Sequence, residues 1–237
     1  MLLRSLKSRN INYLPAVDHV RAYAALLIIF YHGLHVIGES LLPKAAAPFQ
    51  NWPRAHIPFF AVIAEGHTAV AMFIVLSGFI FTFGVYGEEI SYWKFIRNRV
   101  LRIYPLFLVL LFVGAYSFPE KFTFSYFLQT LLALSNVQRG TPFLPFSGMF
   151  WTIAVEMQFY LFFPFLLSIL NQRGTKSLIG LIAVAIALRW FSFMNGANIR
   201  DLVHFTIVVR IDHFLLGMMP AVTYQKYFKP GRVWKIT

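Results

Sequence analysis

The chain has 237 residues, 58% of them hydrophobic and 18% aromatic, with only 13% charged and a formal net charge of +12. A soluble domain carries charge on about a quarter of its residues, and several apolar runs here reach the roughly 20 residues that cross a hydrocarbon layer; the composition excludes an ordinary soluble fold and marks a multi-pass membrane protein. Cysteine is absent, which excludes disulfides and an acyl thioester on a protein thiol, so any acyl chemistry must be direct or use oxygen or nitrogen.

A short basic segment, Met1 to Asn10, precedes the first apolar run, Tyr13 to Ile37. No small-residue cleavage site follows, so the run reads as a retained helix rather than a signal peptide. It carries Asp18, Arg21, His32 and His35. Charged side chains cost roughly 2.5–3.5 kcal/mol each at mid-bilayer on insertion scales, and so face a protein interior or a wet cavity. Arg21 and His32 are eleven residues apart, about three helical turns and a rise of roughly 16 Å, which puts both on one stripe of the helix.

A connection with Pro43, Pro48, Pro53 and Pro58 follows, then a second span from Phe59 to Tyr86. Ser77 and Gly78 within it permit close helix contact. Glu88 to Arg102 reads as a polar, basic connection with Lys94, Arg97, Arg99 and Arg102, and a third span runs from Ile103 to Phe118. Phe124 to Leu134 is apolar but too short to cross easily, and is expected to lie in the interface or re-enter. Beyond a turn-rich stretch, Arg139 to Pro145, come spans at Phe150–Leu170, Leu178–Met194 and Leu202–Tyr224.

The expected fold is all-α: a multi-pass transmembrane helix bundle of about six spanning helices plus the interfacial or re-entrant segment. Residues 1–12 and 225–237 would be basic cytoplasmic ends and 13–224 the membrane domain. Of the 21 Lys and Arg, this topology puts Lys44, Arg54, Lys121, Arg139 and Arg200 on the far side, leaves Arg189 and Arg210 in or near spans, and gathers the remaining fourteen on the side of the N-terminus. Lys and Arg collect on the cytoplasmic side, so both ends are expected in the cytoplasm of a cell (inner) membrane protein. That effect also accounts for the +12 balance. With no aromatic-basic strand motif or zinc signature, a nucleic-acid partner is not expected.

Five segments resemble, in order, those of the acyltransferase-3 family of integral membrane acyltransferases. They are Val17-Asp-His-Val-Arg-Ala-Tyr with His32 beyond it, Phe73-Ile-Val-Leu-Ser-Gly-Phe79, Phe95-Ile-Arg-Asn-Arg-Val-Leu-Arg-Ile-Tyr-Pro105, Trp151-Thr-Ile-Ala-Val-Glu-Met-Gln-Phe-Tyr160 and Arg210-Ile-Asp-His-Phe-Leu-Leu-Gly217. The first holds the family's arginine, ten residues, then histidine, as Arg21 and His32. The third holds its Arg-x-x-Arg pair, as Arg99 and Arg102.

The resemblance implies transfer of an acyl group, often acetyl, from cytoplasmic acyl-CoA to a carbohydrate or similar acceptor. Acyl-CoA would be a donor substrate, with no bound cofactor. His32 fits a general base on an acceptor hydroxyl, since an unperturbed imidazole titrates near pH 6.5; its bland alternative is a core histidine bonded between helices. Arg21 is either a snorkelling anchor or a contact for the donor, and Asp18 can pair with it at i,i+3. Arg99 and Arg102 are either a basic cluster that fixes orientation or the donor's phosphate ligands, guanidinium binding phosphate bidentately. Glu156 and Arg210 are supporting candidates: Glu156 is either an acceptor-site or a structural carboxylate, and Arg210 is one partner it could take. Asp212 and His213 read as structural, and Glu65 and His67 as a solvated collar. His32 and His35 have the spacing of a metal pair, but no third ligand matches, so no metal is expected.

The family often has an acidic residue where Ala71 stands, and serines where Thr152 and Ala154 stand. Its core has about ten helices, so the resemblance covers about the first two thirds of it and the chain reads as truncated at its C-terminus. The rival readings are a transporter or flippase for a small metabolite or lipid-linked sugar, because intramembrane charges also mark transport paths, and an inactive truncated relative. Oligomeric state is not legible.

Overall fold

The computed structural model describes residues 14–41, 58–121, 123–136, 150–197 and 206–228. Among these, every regular element is a helix: α1 (Pro15–Leu41), α2 (Pro58–Ala64), α3 (Ala69–Val85), α4 (Tyr92–Ser117), α5 (Phe124–Leu131), α6 (Phe150–Arg173), α7 (Thr175–Met194) and α8 (Ile207–Tyr227), with 3-10 turns at Gly66–Thr68 and Pro119–Lys121. The basic N-terminal segment, Pro43, Pro48, Pro53 and the stretch from Arg139 to Pro145 lie outside the described residues. Pro58 opens α2, where its missing N–H would have had no helical partner.

Four segments are long and apolar enough to cross a membrane: Gly66–Val85, Tyr92–Ser117, Phe150–Arg173 and Thr175–Met194. This is a membrane helix bundle, but the expected count of six stands at four by length and composition among the described residues. α1 and α8, at 27 and 21 residues, are not among them. Two boundaries also differ. The expected second span breaks at Glu65 into α2, a 3-10 turn and α3. The expected basic connection is instead helical: α4 begins at Tyr92 and carries Lys94, Arg97, Arg99 and Arg102 before running on through Pro105. The missing N–H of Pro105 is tolerated because neighbouring helices can re-satisfy the freed carbonyl.

The chain forms two compact units, residues 1–77 and 78–237. In the first, α1 packs on α2 and on the 3-10 turn around Ala24, Leu27 and Ala69, with Ile28, Met72 and Phe73 against them. A Cβ on Gly66 would stand 2.7 Å from Tyr31 Cβ and 2.8 Å from the Leu27 carbonyl oxygen; only glycine lets the turn lie this close to α1.

In the second unit, α6 packs against α4, α7 and α8. The core is aromatic: Phe159 and Phe214 stack at 3.5 Å between centroids, and Phe107, Phe159, Phe163 and Phe214 are fully buried. A Cβ on Gly78 would overlap the Phe214 carbonyl oxygen, so the small-residue site read from the sequence is where α3 meets α8. Asn171 accepts from the Gly87 N–H at 3.2 Å and donates to the Glu88 carbonyl at 3.3 Å, and Gln225 donates to the Phe83 carbonyl at 2.6 Å. These bonds gather the α3–α4 turn, the α6–α7 turn and the end of α8 at one end of the unit. That end is the basic one, with Lys94, Arg97, Arg173, Lys176 and Lys226.

The segment after α4 folds back along it. Tyr104 donates to the Leu131 carbonyl at 2.9 Å; Tyr104 lies thirteen residues, about 20 Å of helix, inside the Ser117 end. Gln158 then clamps the tip, exchanging bonds of 2.9 and 3.1 Å with Asn136 and donating to the Ala133 carbonyl at 3.3 Å. The segment expected to lie in the interface or to re-enter is thus packed beside α4 and tied to α6.

Candidate functional site

The first unit presents Arg21 and His32 on one face of α1. Val17, Arg21, Ala24, Leu27, Ile28, Tyr31 and His32 are among its buried or half-buried positions and follow one helical stripe, while Leu26, Ile29 and Phe30 on the other side are 53%, 63% and 54% exposed. Asp18 lies 4.0 Å from Arg21, both about half exposed. Tyr31 touches His32 edge-on, with ring centroids 5.3 Å apart, and meets the His67 ring at 5.8 Å. His67 is in turn 3.6 Å from the Glu65 carboxylate. Of the collar residues, His67 is therefore set against Tyr31 of α1 while Glu65 stays exposed, a proximity that needs the Gly66 contact and has no signature in sequence spacing. The side chain of His35 lies outside the described residues. No group of three or more metal-ligating side chains occurs among the residues described.

The second unit holds two polar clusters on different sides of α6. In one, the Arg99 guanidinium carbon lies 4.5 Å from the centroid of Phe81, 5.3 Å from Phe95 and 5.9 Å from Tyr160. A cation over aromatic faces is held by their quadrupoles, which orients Arg99 without neutralising it. Arg99 Nε is buried with no hydrogen-bond partner. Tyr160 donates to the Glu156 carboxylate one turn earlier, and Arg102 lies within electrostatic reach of Arg99 and Tyr160. Although one turn apart, the two arginines differ: Arg99 turns in among rings and Arg102 is exposed. Phe95, four residues before Arg99, was the member of this cage that helical spacing alone could have found.

In the other cluster, Arg210 lies over Trp151 at 5.1 Å and is 5% exposed. Of the pairings the sequence left open, Glu156–Arg210 does not form: Glu156 is held by Tyr160, and the ion pair beside Arg210 is Arg189–Asp212, at 2.7 Å. The second oxygen of Asp212 lies 2.7 Å from Nδ1 of His213. Arg189 and Asp212 sit on different helices, so nothing in local sequence announced them.

The sequence pattern described as an acyltransferase domain, that of the acyltransferase-3 family, matches residues 14–235. Among curated proteins, the chain is 24% identical over 222 residues to a protein of Acidianus two-tailed virus named as a candidate acetyltransferase, ORF330, covering 92% of this chain and 60% of that one. It is 25% identical over 242 residues to the O-acetyltransferase OatA of Staphylococcus aureus strain NCTC 8325, covering 91% of this chain and 35% of that protein. The chain thus spans less than two thirds of the length of these relatives. No solved structure matches it significantly.

Proposed function

The chain belongs to the acyltransferase-3 family, and from that premise we propose that it transfers an acyl group, acetyl in the simplest case, from acyl-CoA to a hydroxyl of a carbohydrate or similar acceptor. The observation that carries this reading is the shared inward face of α1, on which Arg21 and His32 stand about 16 Å apart along the helix.

In this reading the basic end of the second unit faces the cytoplasm, as do both chain ends, and the protein resides in the cell membrane. Exposed Arg102 takes the donor's phosphates through charge-assisted hydrogen bonds, and Arg99, one turn earlier, adds its charge from within the aromatic cage. The family's arginine–histidine motif assigns Arg21 a part in holding the donor. His32 takes the proton of the acceptor hydroxyl as its oxygen attacks the thioester carbonyl. The carbon–oxygen bond forms, the carbon–sulfur bond breaks, and the imidazolium returns the proton to the leaving thiolate, giving an ester and free CoA thiol. Asp18, half-exposed at 4.0 Å, steadies Arg21 without claiming it.

The test uses purified protein in nanodiscs with acetyl-labelled CoA and a soluble carbohydrate acceptor. Labelled ester and free thiol are expected in equal amounts. Absence of both sinks the proposal, and solute flux without thiol release would point instead to a transporter.

A further inference from the structure

The proposed mechanism leaves one constellation without a role: Arg189, Asp212 and His213, at the end of the second unit away from its basic turns. Arg189 lies five residues before the end of α7 and His213 six residues after the start of α8. Both oxygens of the Asp212 carboxylate are committed. One takes Arg189 Nη2 at 2.7 Å; the other takes the His213 backbone N–H at 2.8 Å and faces His213 Nδ1 at 2.7 Å.

This geometry places one proton of the imidazole. A carboxylate has no proton to give, so the short contact requires His213 to donate from Nδ1; whenever the ring is neutral, Nε2 is then its hydrogen-bond acceptor. A carboxylate that fixes tautomer and orientation in this way is the device by which a histidine is held ready for a hydroxyl. Arg189 anchors the carboxylate from the neighbouring helix, so the orientation is set by two helices and not by one flexible rotamer. The His213 side chain remains 27% exposed while Asp212 is at 10%; the ring is accessible and its support is not.

We propose that Arg189, Asp212 and His213 form a hydroxyl-binding site for the acceptor, with His213 Nε2 accepting a hydrogen bond from an uncharged sugar. The site rests on the acyl-transfer reading for its role, but not for its detection. Asp212 is a positioning residue and His213 the ligand contact.

The test uses His213→Phe, which removes the imidazole but leaves the Arg189–Asp212 pair that joins α7 to α8, in the full chain in nanodiscs with methyl β-D-glucopyranoside as probe. At saturating acetyl-CoA, the acceptor KM is expected to rise about tenfold or more while the donor KM stays within twofold. An acceptor KM within twofold of the parent overturns the site. A readout independent of turnover is carbethoxylation of His213 by diethylpyrocarbonate, followed by mass spectrometry. The glucoside is expected to protect His213 in the parent, and more weakly in Asp212→Asn, where the ring is no longer held. Failure of transfer with protection retained counts against the acyl-transfer reading alone; a ring labelled equally with and without the sugar overturns this site.

Discussion

Two arginine–aspartate pairs divide the work of charge in this protein. Asp18 and Arg21 share one helix, lie 4.0 Å apart and are about half exposed; Arg189 and Asp212 join two helices at 2.7 Å with Asp212 nearly buried. A loose, exposed pair contributes about 0–1 kcal/mol, so it leaves its arginine available to a ligand. Breaking a buried pair costs about 3–5 kcal/mol because the abandoned charge stays buried. The first pair is a place where charge can act on something else. The second is a place where charge has been spent on holding two helices and one imidazole.

The largest expected effect separates them directly. Asp212→Ala should destabilise the protein by about 3–5 kcal/mol, whereas Asp18→Ala should cost less than about 1 kcal/mol, both read by thermal unfolding in detergent. Equal losses would mean that the contrast in geometry has no energetic counterpart. The polar clamp on the segment beside α4 falls between these limits: Gln158→Ala removes the bonds to Asn136 and to the Ala133 carbonyl, at about 1–3 kcal/mol, measured the same way. The smallest effect is at Gly180, and Gly78 is its opposite. Gly180, with nothing within 4 Å of an added Cβ, should accept alanine with a change below about 1 kcal/mol. Gly78→Ala should fail to reach the parent's fold, because the new Cβ would meet the Phe214 backbone; protease resistance of the two variants checks both.

What the sequence revealed follows the same division. The stripe bearing Arg21 and His32 was legible because one helix and one period fix it. The Asp18–Arg21 pair and the close approach at Gly78 were legible for similar local reasons. The Arg99 cage was half legible, through Phe95 at one turn; Phe81 and Tyr160 arrive from other helices. Arg189–Asp212 and the contact of Tyr31 with His67 depend wholly on tertiary packing. The helical start of α4 was misread as a connection because its basic residues suppress the hydropathy on which a span is recognised, although they do not oppose helix formation.

The central claim is that the imidazole on the inward face of α1 performs the chemistry, and turnover of His32→Ala at saturating acetyl-CoA and acceptor tests it most directly. General-base catalysis contributes about 10²–10⁴-fold, so kcat should fall by at least about a hundredfold while thermal stability holds. A folded variant that turns over within a few-fold of the parent would contradict it.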